Sequence, residues 1–271
     1  MSVYTPSFSA VFSGVIWKII ADSEQGLIFV ETRDGEKRKA YFHGIDLQSK
    51  KTRWTDQSIL DPWWSSLKVA QKGNLLLVTF NEPDMPEQRG FAVVDGTSGK
   101  LKWGKPDAQV MHTEADGVII SKADDENAYL KVDWNTGATL KEISLKELFS
   151  NFNKKKSGEE SEVLYPFHFD EENSFFIKIQ QYIEILTKHK AIRMIEYLEK
   201  GDKVLISYYI YEGEKDKIAN YILVADETGT VLVHEKLRGE LSGIGMDTFF
   251  VMKDELVVVK NNNELTAYVI K

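Results

Sequence analysis

A short turn recurs along this sequence. In residues 91–103, FAVVDGTSGKLKW, an apolar run ends in Asp95, small residues follow, and Trp103 stands eight positions after the Asp. The same eight-residue step joins Asp46 to Trp54, Asp133 to Lys141 and Asp226 to His234. Thr136-Gly137 and Thr228-Gly229 repeat within the turns, with Thr97-Ser98-Gly99 as a variant. The run before each Asp is apolar or alternating, as in a half-buried strand. Asp accepts backbone N–H groups and starts a tight turn, and Gly supplies a positive φ. Each copy therefore predicts a β-hairpin.

A further strand-like run precedes each hairpin: LIFVET (27–32), LLLVTF (75–80), GVIIS (117–121), FFIKI (175–179), KVLISYYI (203–210) and ELVVVK (255–260). The run FFIKI belongs to a degenerate copy, IEILTKHKAI, with Glu184 in the Asp place and Thr187 in the Thr place. Its strand assignment rests on the frequency of Ile, Tyr and Phe, although Ile179, Ile183, Leu186 and Tyr197 partly fit a helical stripe. Six runs give six units of roughly 45 residues, the size of a four-stranded blade. The C-terminal ELVVVK–NNNELTAYVIK offers three strands without a fourth, and the N-terminal FSAVFSGVIWKI supplies a spare one. The expected fold is all-β: a six-bladed β-propeller of four-stranded antiparallel blades, one domain over 1–271, closed by the N-terminal strand.

The repeat resembles the blade motif of quinoprotein-type, pyrroloquinoline-quinone-like propellers, A-x-D-x-x-T-G-x-x-x-W, in a divergent bacterial form. The match is best over 93–103 and fair over 44–54, 131–141 and 224–234. The resemblance implies that the late Trp packs between neighbouring blades, a place open to Trp54, Trp103 and Trp17. Lys141, Ile192 and His234 stand where other Trp residues would be. Quinone-dependent members have larger rings, a calcium site and in several cases a vicinal cysteine pair. This chain has no cysteine, and nothing matches their catalytic positions as a set. The resemblance implies architecture, with no cofactor expected.

Composition narrows the function. The net charge of −8 disfavours a nucleic-acid partner, because phosphates reward clustered Lys and Arg. Thiolate metal sites and cysteine nucleophiles are excluded. The N-terminus has no basic segment followed by an apolar block, so no signal peptide or membrane span is expected, and a cytoplasmic monomer is.

One insertion breaks the repeat. Ser144 and Glu147 form a capping box, and Leu145, Leu148, Phe149 and Phe152 share one helical face, predicting a short helix near 144–152. A basic run at 154–156 and a polar stretch to 162 follow. The helix is expected either to dock a partner through Phe149 at the channel face or to pack across a blade gap. The acidic run at 124–126 lacks the spacing of a calcium-binding loop. The loops at 81–89 and 211–217 carry dense charge.

Among the five histidines no pair has ready metal-ligand spacing, so no metal site is predicted outright. His112 and His168 each precede a second-strand run by six or seven residues, which places them on inner strands, and Glu196 holds the matching place in the next unit. Those three could converge as an acid–base or metal cluster. Trp63 and Trp64, with Tyr165 and Tyr197, could form an aromatic rim for a ligand or fill gaps between blades. The expected function is noncatalytic binding of an unspecified protein or small ligand. The alternative is a hydrolase- or lyase-type enzyme using His112, His168 and Glu196.

Overall fold

Each repeated Asp builds its turn through its own carboxylate. Asp95 Oδ1 accepts from the backbone N and the hydroxyl of Ser98, both at 2.8 Å. Asp133 Oδ1 does the same with Thr136 at 2.8 and 2.9 Å, and Asp226 Oδ1 with the N–H groups of Thr228 and Thr230, both at 2.9 Å. Donation from Thr136 and Thr228 holds the Asp133 and Asp226 carboxyls below the usual range. The glycines that follow, Gly99, Gly137 and Gly229, all have positive φ.

The computed structural model describes residues 4–81, 87–122, 125–153, 163–213 and 217–271. The basic run at 154–156 with its polar tail, Asp124, and parts of the loops at 81–89 and 211–217 lie outside the described residues, as does the Phe152 side chain. Backbone contacts divide the chain into a central unit, residues 13–161, and a terminal unit, residues 1–12 and 162–271.

The central unit contains three four-stranded antiparallel sheets in simple sequential order. The first is β2 (Val15–Asp22), β3 (Leu27–Asp34), β4 (Lys39–Asp46) and β5 (Lys51–Gln57). The second is β6 (Ser65–Gln71), β7 (Asn74–Phe80), β8 (Gln88–Asp95) and β9 (Leu101–Lys105). The third is β10 (Val110–Glu114), β11 (Gly117–Lys122), β12 (Asp125–Val132) and β13 (Thr139–Ile143). Middle strands such as β3 and β7 are buried on both faces, which explains their unbroken apolar runs. Phe29, Trp54, Leu75 and Leu77 join the first two sheets, and Leu76, Phe91, Val118 and Trp134 the next two. Trp54 Nε1 donates to Gly96 O at 2.8 Å and Trp103 Nε1 to Trp134 O at 2.9 Å, each reaching into the following sheet. Trp17 does not share this role: it lies on β2 and is 68% exposed. The predicted insertion is helix α1 (Leu145–Asn153), and Ser144 Oγ accepts from Glu147 N at 3.3 Å. Among the described side chains of its apolar face Leu148 is buried, against Ile119, Tyr129 and Ile143, while Leu145 and Phe149 stay exposed.

The terminal unit contains two five-stranded sheets. One runs β15 (Phe167–Asp170), β16 (Ile192–Lys200), β17 (Lys203–Tyr211), β18 (Ile218–Asp226) and β19 (Val231–Leu241). The other runs β1 (Phe8–Val11), β22 (Glu264–Val269), β21 (Glu255–Lys260), β20 (Phe249–Met252) and β14 (Val163–Leu164). The expected N-terminal strand is therefore present: β1 pairs antiparallel with β22, Phe8 opposite Ala267. Val224, Val233, Phe249, Val251 and Tyr268 pack the two sheets together.

The sequence expectation fails at 175–187. Phe175–Ile179, read as a strand, begins helix α2 (Ser174–Thr187), which also takes up Glu184 and Thr187 of the supposed degenerate hairpin. Asn173 caps its N-terminus, accepting from Phe175 N, and Lys188 closes its C-terminus in the left-handed region. Phe176, Ile179, Ile183 and Leu186 form an apolar stripe on Ile195, Ile206, Tyr208 and Leu223 of the adjacent sheet. Helical period and caps outweigh the β-preference of single Phe and Ile residues. The predicted fourth and fifth units merge, so the described residues form five sheets where six were expected.

Candidate functional site

The stretch 163–170 is broken by Pro166 and does not form a middle strand. Pro166 has no N–H to give a ladder, and it separates β14, which pairs with β20 of one sheet, from β15, which pairs with β16 of the other. The segment thus lines an edge of both sheets of the terminal unit. Pairing on β15 places His168 directly opposite Glu196, and Glu196 lies opposite Ser207 on β17. Alternation then separates Glu196 from Tyr197, which packs with Phe169 in the cluster under α2. Tyr197 donates its hydroxyl to Glu199 and is not part of the polar group.

The Glu196 side chain has no exposure, His168 is 28% exposed and Asp247 57%, so the group grades from interior to solvent. His168 Nε2 stands 3.3 Å from Glu196 Oε1 and 3.3 Å from Asp247 Oδ1. Thr248 N donates to Glu196 Oε2 at 3.1 Å, and the Thr248 hydroxyl donates to the same oxygen. Ser207 Oγ lies 2.7 Å from Thr248 Oγ1 and accepts from Asn220 Nδ2 at 2.9 Å. This chain of hydroxyl and amide groups fixes Oε2, while Oε1 takes a longer contact from Thr248 N, at 3.4 Å, and faces the imidazole. Burial pushes the Glu196 carboxyl up, against the Thr248 donors and the nearby His168, which pull it down.

The loop between β19 and β20 delivers Asp247. Tyr209 pins that loop: its hydroxyl donates to Gly245 O at 3.1 Å and accepts from Gly245 N at 2.9 Å. Asp247 sits at φ 54, a left-handed conformation that Asp tolerates better than most residues. Tyr165, half-exposed and 5.9 Å from Phe250 ring to ring, flanks the group; burial and the Asp247 charge raise its phenol. His168, Glu196 and Asp247 are the residues here that could hold a metal ion, their donor atoms lying within 4.8 Å of one another.

Of the three residues expected to converge, His168 and Glu196 do so, as cross-strand neighbours in one sheet. His112 is not in the group; it lies on β10 of the central unit, opposite Ile119. Asp247 and Thr248 carried no sequence signal. They stand 51 and 52 residues beyond Glu196 in a loop without a motif, and only the chain path brings them in. Trp63 and Trp64 belong to the central unit, Tyr165 and Tyr197 to the terminal unit. Both tryptophans are half-buried, and their backbone N–H groups donate to Asp61 Oδ1 at 2.8 and 2.6 Å. The Arg33 guanidinium lies 5.2 Å from the Trp63 ring centre and 6.0 Å from that of Trp17.

Residues 21–103 match the model of DUF4905, a domain of unknown function. No curated protein matches the chain. Among solved structures it is similar to a member of the DUF4221 family from Bacteroides vulgatus, at 8% identity and a TM-score of 0.39, over 100% of this chain and 98% of that one. It is also similar to the Pan2 WD40 domain of Neurospora crassa, at 10% identity and a TM-score of 0.37, over 98% and 95%. A third likeness is to the quinohemoprotein alcohol dehydrogenase of Comamonas testosteroni, at 10% identity and a TM-score of 0.31, over 97% of this chain and 44% of that one. No helix among the described residues is long and apolar enough to cross a membrane.

Proposed function

We propose that this chain is a binding protein of β-propeller type, and that its ligand is recognised at the edge segment 163–170, where Tyr165 flanks His168, Glu196 and Asp247. Successive antiparallel sheets, four-stranded in the central unit and five-stranded in the terminal one, packed side by side within each unit, support the propeller reading. One observation carries the site. Glu196 is a fully buried carboxylate that pairs with no Lys or Arg among the described residues, next to the part-exposed His168, which also faces the exposed Asp247. Burying such a group is costly, and clefts that keep one are binding-site candidates. Asp247 and Tyr165 together present a carboxylate beside an aromatic face, which suits a small polar ligand with hydrogen-bond donors. The test is a thermal-shift screen of amines, polyols and sugars against wild type, Asp247→Ala and Tyr165→Ala. Ligands that stabilise wild type and neither variant support the reading. Equal shifts in all three, or stabilisation lost on Phe149→Asp instead, move binding away from this edge.

A second reading, a hydrolase- or lyase-type enzyme, is favoured by the adjacency of His168 and Glu196. It predicts turnover of simple esters or phosphoesters that vanishes in His168→Gln.

A further inference from the structure

We infer that His168, Glu196 and Asp247 form a binding site for one divalent transition-metal ion of the zinc or manganese class, with coordination positions left open toward solvent. The first argument is geometric. Nitrogen and oxygen donors bind such ions at about 2.0–2.2 Å, so adjacent donors around one ion stand roughly 3 Å apart. His168 Nε2 is 3.3 Å from a carboxylate oxygen on each side, and all three donors fall within 4.8 Å.

The second argument comes from the imidazole. Nε2 is shielded from solvent, yet it makes no hydrogen bond with any group, including the two carboxylates it faces. A protonated nitrogen held only as an ion-pair partner would aim its N–H at one oxygen. Here Nε2 stands 3.3 Å from an oxygen on each side without a hydrogen bond to either, a spacing that donors gathered around one cation share. Buried polar atoms without partners are rare enough to demand such an explanation.

The third argument is the support around the donors. Thr248 holds Glu196 Oε2 through its N–H at 3.1 Å and its hydroxyl, while Oε1 takes only the longer contact from that N–H, at 3.4 Å, and is the oxygen that faces His168. Ser207 and Asn220 hold Thr248 in turn, and Tyr209 holds the loop that carries Asp247. Outer partners of this kind orient metal ligands. The two carboxylates carry the charge that one divalent ion neutralises, and the imidazole adds a nitrogen donor. The imidazole donor selects zinc, manganese and their neighbours over calcium and magnesium, which favour all-oxygen sites. The ion would also tie β15 and β16 to the loop entering β20.

The metal alone is the probe, so this inference and the ligand reading above fail separately. Full-length chain stripped with a chelator is titrated with ZnCl2, MnCl2, CaCl2 and MgCl2 by calorimetry, with manganese followed by its paramagnetic resonance. The expected result is one site for zinc or manganese with micromolar or tighter affinity, and at least about tenfold weaker calcium and magnesium binding. Asp247→Asn, an exposed change that spares the fold, should weaken binding about tenfold or more, and His168→Gln should abolish it. Glu196→Gln keeps the Thr248 contacts and should bind at least about a hundredfold more weakly. Circular dichroism and melting of the metal-free variants separate lost ligands from lost folding. No stoichiometric zinc or manganese binding below about 100 μM, or folded Asp247→Asn and His168→Gln variants that bind like wild type, would overturn the site.

Discussion

The motif residues do local work that a one-residue change would expose. Gly137 has φ 70, and a Cβ there would come within 2.7 Å of the Trp103 ring. Gly99 repeats the arrangement beneath Trp54, where a Cβ would lie 2.8 Å from the ring. The turn glycine of one repeat is thus the floor on which the previous repeat's Trp rests. Gly137→Ala should cost about 2–4 kcal/mol, combining the left-handed penalty with overpacking against the indole. Gly201 is the control: its φ is also positive, at 61, but nothing lies within 4 Å of its would-be Cβ. Gly201→Ala should cost only about 1–2 kcal/mol. Urea unfolding of both variants checks the difference; equal losses would remove the Trp contact from the explanation. Histidines divide in the same local way. His43 is wholly buried between Thr32 and Thr55, at 2.9 and 2.8 Å, and burial lowers its pKa to about 4, so it is a neutral core residue.

Among the elements, α2 occupies space that the repeat would give to a strand and a Trp. Its Leu186 lies 3.7 Å from the Cβ position of Gly229, the turn glycine of the last Asp-led hairpin. Its C-terminal end is fastened by a polar contact as well as by the Ile183 stripe. Tyr208 on β17 bonds His189, just past α2, at 2.9 Å, and His234 on β19 at 2.8 Å. Tyr221 on β18 packs against all three rings. One phenol proton serves two imidazoles, so one ring accepts from Tyr208 and the other donates to it. Burial lowers both histidine pKa values, and the two rings also oppose each other's charge at His234. Since the folded values lie below the ordinary 6.5, this contribution is complete above about pH 6.5 and is lost as pH falls through the folded values. Hydrogen exchange of 174–189 should accelerate below about pH 6 before the sheets lose protection. His234→Gln should flatten that response; an unchanged pH profile would show that the triad does not hold the helix.

At the scale of the whole molecule, the terminal unit is completed by residues more than 250 positions apart. Phe12 N donates to Asn263 O at 2.8 Å and Ser7 N to Ala267 O at 2.8 Å, so the first strand covers the edge of β22. Ser7 Oγ adds a bond to Glu255 at 3.0 Å. A bare strand edge is a template for association. Removing residues 1–12 should lower the melting temperature by several degrees and produce dimers or larger species by light scattering. A truncated chain that matches the full chain in solution size and in stability would deny β1 this role.

The sequence alone determined what depends on near neighbours. The Asp-led turns at Asp46, Asp95, Asp133 and Asp226, the apolar middle strands other than 175–179, the Ser144 cap and a spare first strand are short-range or patterned features, and each is present as read. It placed His168 and Glu196 on strands but not in one sheet, because register is set by pairing between strands and not by spacing along the chain. Only the tertiary structure decided that 174–187 is a helix, since its stripe gains stability by packing on a sheet formed by residues downstream. Only the tertiary structure brought Asp247 and Thr248 to Glu196, because a loop's direction depends on the packed sheets that flank it. A carboxylate's neighbours in space carry its chemistry, and those neighbours lie where folding, not proximity in sequence, puts them.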